Sequence, residues 1–74
     1  MGQREALRHE IKIAWDARAK MIYHSLSMDN AEGNEFIPAE WWDEQELAFN
    51  DANLEYEMAR YNIRQLKHQL GGVA

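Results

Sequence analysis

The stretch PAEWWDEQELAFNDANLEYEMARYNIRQLKHQL, Pro38 to Leu70, decides how this chain folds. Positions 42, 45, 49, 52, 56, 59, 63, 66 and 70 hold Trp, Gln, Phe, Ala, Tyr, Ala, Ile, Leu and Leu. The steps alternate three and four without a break. That spacing keeps one stripe of a helix turned toward a partner helix. Pro38 suits the first helical position, where its missing N–H would be unpaired anyway. Ile37 is then the N-cap, and Glu40 places a negative charge on the positive end of the helix dipole. Phe36 stands where it can fold back on Trp41 as a hydrophobic staple. Arg60, Arg64, Lys67 and His68 ride the negative end, and Gly71-Gly72 supplies a stop. The pattern predicts a helix over 38–70 with a frayed tail, 71–74.

This helix carries a second apolar stripe. Leu47, Leu54, Met58 and Tyr61 fall opposite the Trp42–Leu70 seam, separated from it by polar strips that include Asp43, Glu46 and Glu57 on one flank. One partner helix covers one stripe, so the other needs a further surface. A second copy of the chain is the expected cover, which assigns self-association to Leu47, Leu54, Met58 and Tyr61.

Upstream, Gln3 to Leu26 reads as the first helix. Leu7, Ile11, Ala14, Trp15, Met21, Ile22 and Leu26 cluster on one side at ~100° per residue. Arg18 interrupts that side, either with its stem packed and its guanidinium in water or in an ion pair with Asp51 or Glu55. Ile13 and Ala17 lie roughly opposite as a weaker patch, with Ala6 beside them. Residues 27–37 have turn chemistry, with Asn30, Gly33 and Asn34 suited to left-handed backbone. The expected fold is all-α: one domain over 1–74, an antiparallel two-helix hairpin that dimerises into a four-helix bundle. The layout resembles the Rop-type RNA-binding hairpin dimer in architecture alone, and no motif residue is matched.

Composition supports an oligomer. A chain of 74 residues has a small core, and with no cysteine it has no disulfide to brace it. The missing cysteines also exclude thiolate catalysis and cysteine zinc sites. No secretory h-region and no transmembrane-length apolar run is present, which leads to the expectation of a cytoplasmic protein. His9-Glu10 opens like a zincin motif, but Ile13 occupies the second histidine's place. His24 beside Ser25 makes no triad, since neighbouring helical positions diverge. No metal, cofactor or catalytic set is therefore expected.

The net charge of −5 is unevenly spread. Between Met21 and Ala59 there are ten acids and no Lys or Arg, while the remaining residues carry eight bases and three acids. An antiparallel hairpin gathers acids at its loop end and bases at its open end. The favoured function is a non-catalytic protein-interaction module, a small acidic adaptor or inhibitor. Such chains are common among phage and mobile-element accessory proteins that block a host process. Phe36, Ile37 and Trp41, ringed by Asp43, Glu46 and Glu57, have the make-up of a partner-binding hot spot. Two alternatives remain. One is an acidic mimic of nucleic acid that occupies a nucleic-acid-binding protein. The other is a Rop-like nucleic-acid binder using the basic end with Arg60 and Arg64.

Overall fold

Gln3–Ala31 forms α1 and Ala39–Gly71 forms α2 in a computed structural model of the chain that describes residues 2–71. The two helices run antiparallel. Gln3 meets Gln69 at 3.4 Å, Lys20 meets Glu55 at 3.5 Å and His24 meets Gln45 at 2.7 Å. The result is a flat slab with extents of 56 × 21 × 13 Å. Its radius of gyration is 16.7 Å, against about 11 Å for a compact chain of this length.

The α2 seam lies where its spacing places it from Trp42 to Leu66, while Leu70 at its end is exposed. Ala52 and Ala59 are buried; Trp42, Gln45, Phe49, Tyr56, Ile63 and Leu66 are half-buried. The α1 seam departs from expectation. Its inward residues are Leu7, Glu10, Ala14, Ala17, Met21, His24, Met28 and Ala31, with Ala14, Ala17 and Ala31 buried. Ala17 has 0% exposure, although the sequence pattern put it on the far side. Trp15, Ile22 and Leu26, expected inside, are exposed. The helix is turned so that Ala14, Ala17 and Ala31 rather than Trp15, Ile22 and Leu26 meet α2. Facing alanines let two backbones approach closely, and a Trp or Ile there would hold them apart.

The end of α1 also differs. The helix continues to Ala31 rather than stopping at Leu26, so Ser27, Asp29 and Asn30 are helical despite their turn preference. Ser27 Oγ donates to the Tyr23 carbonyl at 2.9 Å, which satisfies the hydroxyl within the helix. Half-buried Met28 and buried Ala31 extend the contact with α2, and this burial outweighs local propensity. The connection is therefore 32–38. Gly33 has φ +86°, and the Asn34 N–H donates to the Ala31 carbonyl at 3.0 Å. Asn34 Oδ1 accepts from the Phe36 N–H at 3.0 Å, an Asx turn.

α2 begins at Ala39, one position after Pro38, whose carbonyl accepts from the Trp41 N–H at 3.1 Å. The Phe36–Trp41 staple is not formed. Phe36 is 88% exposed, and Trp41 instead packs edge-to-face on Trp42 with ring centroids 5.1 Å apart. The Asx turn fixes the chain's approach to α2 in the staple's place. Of the expected frayed tail, Gly71 ends α2 and 72–74 lie outside the described residues.

Candidate interaction surfaces

Among the described residues the buried core consists of Ala14, Ala17, Ala31, Ala52 and Ala59. One methyl contributes only about 0.8 kcal/mol when buried. Many large apolar side chains stay at the surface, and apart from Tyr23 and Leu70 the exposed ones gather in three places.

The first is the outer side of α2. Leu47, Leu54, Met58 and Tyr61 are between 59% and 63% exposed and point away from α1. The heptad spacing explains this. Leu47, Leu54 and Tyr61 share one angular position, and it lies opposite the seam. Asp43 and Glu57 flank the stripe on one side, Glu44 and Asp51 on the other, all exposed.

The second is the loop end. Phe36 projects into solvent, Ile37 is half-buried, and the Trp41–Trp42 pair is half-buried behind them. The residues expected to bind a partner thus divide. Phe36, Ile37 and Trp41 lie together at this end. Asp43 and Glu46 follow within two turns. Glu57 stands further along α2, beside the outer stripe, and is not part of the same patch.

The third surface is a groove between the helices on one broad side of the slab. Two adjoining depressions share Arg18 and Tyr56. Ile11, Trp15 and Ile63 line the one toward the open end. Ile22, Leu26 and Phe49 line the one toward the loop. Among the described residues Arg18 makes no ion pair with Asp51 or Glu55; Glu55 pairs with Lys20 instead. Arg18 is exposed, and its guanidinium lies 5.6 Å from the centroid of the Trp15 ring. Arg60 stands over Tyr56 at the same distance, 5.6 Å. These two arginines and Lys67 make the open-end half of the groove basic. The opposite broad side is more polar, with the Lys20–Glu55 pair between half-buried Ile13, Ser27, Ala48 and Asn62.

The hydrophobic pattern hides the groove because it places Trp15, Ile22 and Leu26 in the core. A signal for it existed. The run Leu7, Glu10, Ala14, Ala17, Met21, His24, Met28, Ala31 keeps unbroken three–four spacing, one step shorter than the α2 seam. Taking that run as the seam places Trp15, Ile22 and Leu26 outside it.

No described helix is long and apolar enough to cross a membrane. No protein-family model, curated protein or solved structure matches this chain.

Proposed function

We propose that this chain is a non-catalytic protein-interaction module, an adaptor or inhibitor. In this reading it acts as a homodimer with a four-helix bundle, and it binds a partner protein along the outer side of α2. The observation that supports this is the uncovered ridge of Leu47, Leu54, Met58 and Tyr61, rimmed by carboxylates. An exposed apolar ridge with a polar rim is the composition of a docking surface. It suits a partner with an apolar groove edged by lysine or arginine. Phe36, at 88% exposure, offers a second apolar contact at the loop end.

A capture experiment from lysate at low and high salt, run in parallel with wild type and Leu54→Glu/Met58→Glu, tests the reading. The expected result is a defined protein retained at high salt by wild type and lost by the variant. The nucleic-acid-mimic alternative gives a different pattern: capture that vanishes at high salt and in Asp43→Asn/Glu46→Gln/Glu57→Gln but survives the stripe variant. No protein that distinguishes wild type from either variant would refute both.

A further inference from the structure

The hairpin is one helix layer thick, with a smallest extent of 13 Å, whereas stable domains bury apolar surface between at least two layers. Its accessible surface is 5919 Å². A compact monomer of 8.7 kDa exposes about 4,700 Å². The excess of roughly 1,200 Å² exceeds the ~800 Å² that each partner contributes to a standard protein interface. Among the described residues, the groove is the uncovered surface where bulky apolar side chains of both helices meet: Trp15, Ile22 and Leu26 from α1, Phe49, Tyr56 and Ile63 from α2.

Charge gives the second layer a direction. The α2 strip bordering the groove repeats every seventh residue as Glu46, Asn53, Arg60 and Lys67. It runs from acid at the loop end, through a neutral residue, to two bases that line the open-end half. Glu46 and Arg60 stand seven residues to either side of Asn53. A parallel copy would oppose like charges, while an antiparallel copy opposes unlike ones.

We propose that a second copy of this chain lies antiparallel across the groove, about a two-fold axis at the level of Asn53, so that Glu46 of each copy faces the other's Arg60. The interface is isologous, as a two-fold dimer requires. Tyr56 and Arg18, which both depressions share, come near its centre, with the Trp15 indole against the Arg18 guanidinium. The arrangement rests on the homodimer reading above, and it leaves the outer stripe of α2 free for a partner.

Sedimentation of the full chain at low salt, with helicity followed by circular dichroism, tests it. Wild type is expected at the mass of two chains, as is Leu54→Glu/Met58→Glu. Ile22→Glu is expected at the mass of one. Glu46→Arg raises the dimer dissociation constant by about tenfold, and Glu46→Arg with Arg60→Glu brings it back. If Ile22→Glu loses its helicity, the charge reversals decide, because they leave every apolar side chain in place. A one-chain mass for wild type up to submillimolar concentration overturns both the homodimer and this arrangement. A two-chain mass that survives Ile22→Glu but not the stripe variant overturns the arrangement and keeps the homodimer. A double reversal no tighter than Glu46→Arg alone overturns the antiparallel register.

Discussion

His24 Nδ1 donates to Gln45 Oε1 at 2.7 Å, from one side of the helix seam to the other. Both side chains are half-buried and both occupy seam positions. The pair makes one register of α1 against α2 better than its neighbours, because a slip of one turn leaves two polar groups in the seam without partners. His24→Ala or Gln45→Ala removes one partner and strands the other, so each is expected to cost about 1 kcal/mol. At fixed protein concentration that lowers the thermal midpoint by roughly 4–8 °C for a chain this size. His24→Leu with Gln45→Leu removes both needs together and is expected to recover most of the loss. A double-mutant cycle from urea unfolding checks this, and additive losses would show that the two residues do not act as a pair.

The Lys20–Glu55 bridge behaves differently. Its atoms are 3.5 Å apart, but the side chains are 58% and 52% exposed. Water screens such a pair, and ordering two long side chains offsets the attraction. Lys20→Ala is expected to change stability by less than about 0.5 kcal/mol, and the difference should disappear at high salt. A loss of 2 kcal/mol or more in urea titration would mean that the bridge lies in a drier place than the hairpin gives it.

At the turn, Gly33 has φ +86°, and an added Cβ would meet nothing within 4 Å. The cost of Gly33→Ala is therefore confined to the backbone, about 1 kcal/mol. Gly33→Asn should lose less, since asparagine tolerates left-handed backbone. Gly71 is the control. It ends α2 with open space around its Cβ position, and Gly71→Ala is expected to be neutral or slightly stabilising. Thermal unfolding of the three variants beside wild type gives the order, and equal losses for Gly33→Ala and Gly71→Ala would contradict it.

The α2 seam was legible because Phe49, Tyr56 and Ile63 alternate with Gln45, Ala52 and Ala59 in a single register. The rotation of α1 was harder to read. Trp15, Ile22 and Leu26 are more apolar than Ala14 and Ala17, and a pattern weighted by hydrophobicity places the largest side chains inward. Close packing reversed that order, because methyl groups fit between near backbones and indoles do not. The end of α1 was hidden for a related reason. Ser27, Asp29 and Asn30 signal a turn locally, and only the contacts of Met28 and Ala31 with α2 overrule them. The outer stripe of Leu47, Leu54, Met58 and Tyr61 was legible as an uncovered surface. What lies on it is a matter of partner chemistry, which one chain's periodicity does not encode.

Ala17 gives the sharpest test of alanine-based packing. It has 0% exposure and lies in the seam with Ala14, facing α2 where Ala52 and Ala59 are 2% exposed. Ala17→Leu inserts three carbons between backbones that have no room for them, and overpacking of this kind costs about 1–3 kcal/mol. Trp15→Ala removes a far larger side chain, but one that is 62% exposed. Within a single hairpin it forfeits only the contact with Arg18 and part of the groove wall, so it should cost less than Ala17→Leu. Chemical unfolding at low protein concentration isolates this comparison from any contribution of a second copy. The order is then expected to change with concentration. If Trp15 sits at the centre of a dimer, Trp15→Ala becomes the more damaging variant as the protein concentration rises, whereas the Ala17→Leu penalty stays the same. A Trp15→Ala loss that is large and independent of concentration would mean that the indole packs within its own chain.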